Sequence, residues 1–239
     1  MVSTGVSESF DRHGLRLALQ EGMLVTAGSH PRHLAPRRIA QVPDAALKLV
    51  EAFRRELDLP EVKLFNNPVS AGASDGHAGV QWSAYLSKSD GYAYLGVNLE
   101  GMKYDGWPIA RLIQNEISQV RVLELLGLVP ESADARVKLW RDVWGAGGGR
   151  RHETILDCRL HELGEDSWRQ HLVVAYSCLN ENDHRGRARQ GCQWVSPHLH
   201  ACCQLWQEAS VLTEAQVSIL TERKRALQPV YDWMTESSR

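Results

Sequence analysis

Several classes of protein are excluded by what this 239-residue sequence lacks. It contains no run of about 18 apolar residues, which a transmembrane helix needs. Its first residues, MVSTGVSESFDRHG, have neither the basic start nor the apolar stretch of a secretion signal. Five cysteines, an odd number, do not predict a disulfide framework and favour a reducing compartment. We therefore expect a cytoplasmic protein with no membrane partner.

Common motifs of nucleotide-binding and acyl-hydrolysing enzymes are also missing. The sequence has no G-x-S-x-G, no P-loop and no G-x-G-x-x-G, and it shows no internal repeat. The run GAGGG at 145–149 lacks the Lys-Ser/Thr pair of a P-loop, so we interpret it as a hinge or boundary. We expect one domain over residues 1–239. A subdivision at the glycine run would leave N-terminal helices plus a hairpin core in 1–145, and a second hairpin, a basic loop and C-terminal helices in 150–239.

A strong excess of charge of either sign is absent as well. The formal net charge of −2 argues against a nonspecific polyanion binder. The basic residues are nevertheless clustered in three stretches with glycine, proline or asparagine, and loop arginines beside glycine can approach phosphates closely. Solvated loops are the alternative explanation for each cluster. The predicted DNA-binding residues are Arg37, Arg38, Arg150, Arg151, Arg185, Arg187 and Arg189.

The clearest folding signal lies in residues 80–100. The Asp90-Gly91 pair favours a two-residue type I′ hairpin turn, because both central positions need positive φ. A turn there places Trp82 opposite Leu99 and gathers the large apolar side chains on one face. The other face carries polar residues and tyrosines. This segment therefore predicts an antiparallel hairpin with a core face and a working face.

Hydrophobic periodicity predicts the elements around this hairpin. The predicted fold class is α+β, with a mixed central sheet that contains the long hairpin and is flanked by helices. The predicted elements are a helix from Pro43, a strand at 62–68, a helix from Pro108 to about Leu126, a helix from Ser132 to Trp144, a second hairpin with a buried strand at 172–176, a strand and a short helix separated at Ser196-Pro197, and a last helix capped by Thr213 and interrupted at Pro229.

Charged residues gather at the open end of the predicted hairpin. Continuing its register past Glu100 brings Lys103 and Asp105 close to Asp75. Carboxylate oxygens are the ligands that Mg²⁺ prefers, and a neighbouring lysine can orient an attacking water. Ordinary polar residues at a hairpin end are the alternative explanation.

The order helix, strand, strand, strand, helix from residue 43 resembles the restriction-endonuclease-like core, and the hairpin resembles that of the PD-(D/E)xK nuclease superfamily. The resemblance implies that Asp75 is the first acid, Glu100 the second acid and Lys103 the lysine. Glu51, on the preceding helix, matches an extra acid that some members carry. Gly101 lies in a spacing one residue longer than the family pattern, and a bulge there would restore the orientation of the lysine.

This resemblance implies a magnesium-dependent type II restriction endonuclease that hydrolyses phosphodiester bonds in double-stranded DNA. It implies catalysis by Asp75, Glu100 and Lys103. The implied metal ligands are Asp75, Glu100, Glu51 and Asp105. A homodimer is left open. The alternative is a non-catalytic, defence-associated module that uses the same core to hold nucleic acid or a protein.

A single Cys/His cluster, C-x5-H-x-H-x-C-C, follows the last basic stretch. It lacks the second closely spaced pair that usually completes a tetrahedral zinc site. Buried cysteines on a helix are the simpler interpretation. Zinc bound by Cys192, His198, His200 and Cys202 is the alternative.

Overall fold

The computed structural model describes residues 42–59, 62–67, 69–75, 79–100, 108–144, 150–177, 194–208 and 212–239. The helices are α1 (Asp44–Glu56), α2 (Pro108–Gln119), α3 (Arg121–Leu126), α4 (Glu165–Ser177) and α5 (Glu214–Ser237). The strands are β1 (Lys63–Asn66), β2 (Ser70–Ser74), β3 (Val80–Ser87), β4 (Tyr92–Glu100), β5 (Arg136–Trp144), β6 (Arg150–Arg159) and β7 (Trp194–Gln207). No helix among these is long and apolar enough to cross a membrane.

All seven strands form one sheet in the order β1-β2-β3-β4-β7-β5-β6. Every pair in it is antiparallel, so the expectation of an α+β fold is confirmed and that of a mixed sheet is wrong. Consecutive strands from β1 to β4, and the pair β5-β6, follow each other as neighbours, which gives antiparallel pairing. The last strand, β7, then lies between β4 and β5.

The predicted hairpin is present, but its register differs. Trp82 pairs with Val97 instead of Leu99. The turn is longer than two residues because the Asp90 carboxylate accepts hydrogen bonds from the Tyr92 N–H, at 3.0 Å, and from the Tyr94 hydroxyl, at 2.9 Å. Of the central pair only Gly91 has a positive φ, 71°, which excludes type I′. The register moves by two residues, so each side chain keeps its predicted face.

One face of the sheet packs against the helices and forms the core. Trp82, Val97 and Leu99 are buried there, as predicted. Hydrophobic side chains of all five helices belong to the same cluster, among them Phe53 of α1 and Leu112 of α2. Full burial of side chains of this kind stabilises a fold by roughly 1.5–3 kcal/mol each. We call the opposite face the polar face; it carries Tyr85, Tyr94, Trp140, His198, His200 and Cys202.

The helix predicted from Ser132 to Trp144 is wrong, because most of this segment is β5. Val137 and Leu139 pack in the core, whereas Lys138 and Trp140 lie on the polar face. This alternation has the two-residue period of a strand. The helical interpretation relied on apolar residues that lie on opposite faces of the sheet.

The second predicted hairpin is also wrong, since its apolar run belongs to α4. Trp168, Leu172 and Ala175 are the buried residues of this helix, and their spacing of four and three is helical. Val173 and Val174 are exposed, although the sequence suggested a buried strand.

Two predicted interruptions do not occur. β7 continues through Pro197, which lies beyond the last β4 pair, Glu100 with His198, where a strand needs fewer backbone donors. α5 continues through Pro229, an exposed residue, to Ser237. Its predicted cap is confirmed, because Thr213 accepts a hydrogen bond from the Gln216 N–H.

Candidate functional site on the polar face

The polar face carries ionisable and aromatic side chains at matching positions on neighbouring strands. Alternation along β7 places His198, His200 and Cys202 on this face. Each pairs with one residue of β4 and one of β5. The resulting levels are Glu100–His198–Trp140, Asn98–His200–Lys138 and Gly96–Cys202–Arg136.

A buried carboxylate, Asp142, holds two imidazole rings. Its Oδ1 lies 3.3 Å from Nδ1 of His152, which is directly opposite on β6. Its Oδ2 lies 3.1 Å from Nε2 of His198 on β7. The Asp142 side chain is 5% exposed and that of His152 is 53% exposed. When Nδ1 of His152 donates a hydrogen bond to the carboxylate, the free lone pair of the neutral ring is on Nε2. The His152 side chain reaches solvent, so Nε2 can accept a proton there.

The Trp140 indole fixes the position of these rings. It stacks on His198 with a centroid distance of 4.9 Å and an angle of 8°. The His152 ring is tilted against the same indole at 5.9 Å. Aromatic contacts of this kind contribute about 0.5–1.5 kcal/mol beyond burial. Trp140 therefore restricts both histidines that contact Asp142.

His200 is a buried, neutral histidine. Its Nε2 lies 3.4 Å from the Ser83 hydroxyl. Burial, followed by the nearby charge of Lys138, lowers the pKa of His200 to about 3. The ring occupies space above Gly96, where an added Cβ would lie 2.1 Å from Nε2. His200 consequently packs without charge at neutral pH and is no candidate for a general base.

Tyr85 and Tyr94 stack on each other beside this histidine, at a centroid distance of 5.4 Å. The Tyr85 hydroxyl donates to Sγ of Cys202 at 3.6 Å. Burial is the main cause that raises the pKa of both phenols and of the Cys202 thiol. A thiol kept protonated is a poor nucleophile, so Cys202 has a packing role.

Two of the acids predicted to bind magnesium have described side chains, and they serve other contacts. The Asp75 carboxylate accepts a hydrogen bond from the Trp82 N–H at 3.1 Å. Burial is the main cause that raises the pKa of Tyr231 on α5, and the nearby negative charge of Asp75 raises it further. Burial raises the pKa of Glu51 on α1, and the nearby cations of α1 partly offset that increase.

The other predicted catalytic residues lie at or beyond the end of β4. Glu100 has a described backbone, which pairs with His198, but its side chain is outside the description. Lys103 and Asp105 lie outside the described residues. The described carboxylates therefore do not supply the set of oxygen ligands that Mg²⁺ requires.

The predicted DNA-binding loops are only partly described. Arg150 and Arg151 belong to β6, so the expectation that they lie in a loop is wrong; their side chains are outside the description. The preceding glycines suggested a loop, whereas pairing with Trp144 and Val143 extends the strand to them. Arg37, Arg38, Arg185, Arg187 and Arg189 lie outside the described residues.

Four members of the Cys/His cluster, His198, His200, Cys202 and Cys203, lie on β7, and the two cysteines among them are not on a helix as expected. Cys192 is outside the described residues. Cys202 and Cys203 point to opposite faces, because successive strand residues alternate. In the part of the chain that the structure describes, no three His, Cys, Asp or Glu side chains are grouped closely enough to hold a metal ion.

Sequence reasoning missed Asp142, His152 and Trp140 as site residues. The signal that was available is the alternation in RVKLWRDVW, which places Lys138, Trp140 and Asp142 on one face of a strand. His152 directly follows Arg150 and Arg151 in one of the three basic stretches, which were interpreted only as sites of DNA contact. No protein-family model matches the chain, and comparisons with curated proteins and with solved structures find no match.

Proposed function

We propose that the protein is an endonuclease that hydrolyses phosphodiester bonds in double-stranded DNA, with His152 as its general base. The contact between Asp142 and Nδ1 of His152 is the observation that carries this proposal. A buried carboxylate that orients an exposed imidazole is a recurring arrangement for proton abstraction. The basic stretches of the sequence support a polyanionic substrate.

In this role, Nε2 of His152 accepts a proton from a water molecule as that water attacks phosphorus. The bond between phosphorus and one ester oxygen breaks, and the leaving oxygen takes a proton from solvent. Asp142 stabilises the imidazolium that forms, since its carboxylate already lies at Nδ1. General-base assistance of this kind contributes about 10²–10⁴-fold to a rate.

Asp142 lies close to the end of β4, where the sequence predicted the acid Glu100. Glu100 pairs with His198, and the Asp142 carboxylate lies 3.1 Å from the His198 ring. The second acid of the nuclease resemblance is therefore next to His198 in the strand order, whereas His152 lies on β6, beyond β5. A magnesium ion, if one takes part, would need ligands beyond the described carboxylates, so no step here is assigned to it.

The test is incubation of the protein with plasmid and phage DNA, with and without Mg²⁺. We expect cleavage by the wild type and a loss of at least about 100-fold in His152→Gln. His161→Gln, which changes an exposed histidine with a side chain 67% exposed, is the matched control and should cleave normally. Equal cleavage by His152→Gln and wild type would remove His152 from the mechanism.

A non-catalytic nucleic-acid-binding module is the other outcome that this assay distinguishes. Binding of DNA by the wild type without cleavage in any metal condition would favour it. A strict requirement for Mg²⁺ would support the site predicted around Glu100, which Glu100→Gln then tests directly. The homodimer, which the sequence leaves open, is not tested by this assay.

A further inference from the structure

Two cations on the polar face share a single carboxylate. Nη2 of Arg136 lies 2.9 Å from Oδ1 of Asp157, and Nζ of Lys138 lies 3.3 Å from its Oδ2. Both cations come from β5, and Asp157 lies opposite Lys138 on β6. Their side chains are 22% and 26% exposed, so the cluster is reachable from solvent. The Asp157 carboxylate carries one negative charge against the two positive charges that contact it.

Arg136 also retains a hydrogen-bond donor. Within the described part of the chain, its buried Nε has no hydrogen-bond partner. A buried donor without an acceptor costs about 1–3 kcal/mol, more when it is charged. Nε itself is enclosed, so an incoming anion meets the part of the Arg136 side chain that reaches solvent. The guanidinium fork suits a phosphate, which can accept two parallel hydrogen bonds.

Neutral groups surround the two cations on the inner side. Lys138 pairs with His200 on β7, and Arg136 pairs with Cys202. His200 is uncharged at neutral pH because of its burial. Lys138 also lies over the Tyr94 ring, 5.9 Å from its centroid. Asp157 is the carboxylate that contacts both cations, so an anion must compete with it here, and the nearby charge of Asp90 also acts on Arg136.

The cluster lies on the same strand face as the proposed base. Lys138 and Asp142 are four residues apart on β5, which is about 13 Å at about 3.3 Å per residue. This separation corresponds to roughly four nucleotides of one duplex strand at about 3.4 Å each. Trp140 lies between them, partly exposed.

We propose that Arg136 and Lys138 bind a phosphate group of the DNA backbone and that Asp157 competes with this phosphate for the two cations. The inference rests on the proposed function, because it assigns the phosphate to the same substrate. The phosphate would accept from the guanidinium of Arg136 and from Nζ of Lys138 while Asp157 is displaced from one of them. This contact would place the scissile bond some nucleotides away, toward His152.

The experiment measures the affinity of a short fluorescent DNA duplex as a function of salt concentration, for wild type and for three variants. Arg136→Gln should weaken binding about tenfold and reduce the slope of log K against log salt by about 0.9, the loss of one phosphate contact. Asp157→Asn should tighten binding severalfold, because it removes the competing charge. Arg121→Gln, which removes a cation from the exposed Arg121–Glu124 pair of α3, should change neither quantity.

The change in DNA affinity expected for Asp157→Asn is opposite to that expected for Arg136→Gln. Loss of folding would instead weaken DNA binding in both variants, so the two explanations are distinguished. An unchanged slope in Arg136→Gln, or weaker binding in Asp157→Asn, overturns the phosphate site. Titration with inorganic pyrophosphate tests whether the site binds a free phosphate compound instead of a phosphate of DNA. If the protein binds pyrophosphate but not DNA, and Arg136→Gln weakens that binding, the DNA assignment is refuted. Cleavage by wild type with no effect of these variants would leave the proposed function intact and this inference wrong.

Discussion

The indole Nε1 of Trp168 donates a hydrogen bond to Oε1 of Glu116 at 2.8 Å, in the interior of the protein. The same carboxylate accepts from the Trp233 indole at 3.1 Å and from the Val122 N–H at 2.9 and 3.0 Å. Glu116 thus connects α2 to α3, α4 and α5. It does so at the break after α2, where Val120 has a φ of 56°, which is costly for a β-branched residue.

We expect Glu116→Gln to lower the free energy of unfolding by about 1–3 kcal/mol. The amide of glutamine supplies one acceptor atom, so its NH₂ group would face an indole or backbone N–H donor. Chemical denaturation measures this effect. Glu124→Gln, on exposed α3 surface, is the matched control and should change the free energy by less than about 0.5 kcal/mol.

The same carboxylate predicts a dependence of stability on pH. Burial raises the pKa of Glu116 above its ordinary value of 4.5, although four hydrogen-bond donors oppose this. A group with a raised pKa in the folded state stabilises the fold fully below its unfolded pKa and loses that contribution as pH rises through the folded pKa. The stability of wild type relative to Glu116→Gln should therefore decrease from pH 4 upward through that pKa. A stability difference between wild type and Glu116→Gln that increases with pH would contradict this. It would show that the hydrogen bonds lower the pKa of Glu116 by more than burial raises it.

Gly96 predicts how tightly the polar face is packed. An alanine Cβ there would lie 2.1 Å from Nε2 of His200 and 2.8 Å from Cβ of Cys202. Because His200 is buried and the Cys202 Cβ is fixed by the strand, we expect Gly96→Ala to destabilise the protein by about 1–3 kcal/mol. Gly164→Ala, where nothing lies within 4 Å, is the control for an added methyl group. Thermal unfolding of the two variants gives the comparison, and equal melting temperatures would mean that His200 moves freely.

The parts of the fold that the sequence predicted depend on local signals. The cap formed by Thr213 and Gln216 is local, and so is the helix that begins after Pro43. The faces of the hairpin were predicted because alternation survives a register shift of two residues. The exact register was not, since the bonds from the Asp90 carboxylate extend the turn.

The candidate site could not be predicted in the same way, because it depends on pairing across the chain. Asp142 and His152 are brought together by β5 and β6, and His198 joins them only because β7 enters the sheet next to β5. Nothing in the local sequence indicates that insertion. The nuclease resemblance drew attention to Glu100 at the end of β4, and the histidine pair is on the strands beyond it.

The most direct test of the central claim is single-turnover DNA cleavage by Asp142→Asn, measured together with DNA affinity and thermal stability. If Asp142 orients His152, asparagine keeps the shape but loses the charge that holds Nδ1–H and stabilises the imidazolium. We predict a loss of about 10²–10⁴-fold in the cleavage rate, with DNA affinity unchanged and the protein folded. A cleavage rate within about threefold of wild type in a folded Asp142→Asn protein would contradict the account, because general-base assistance is expected to contribute far more than that.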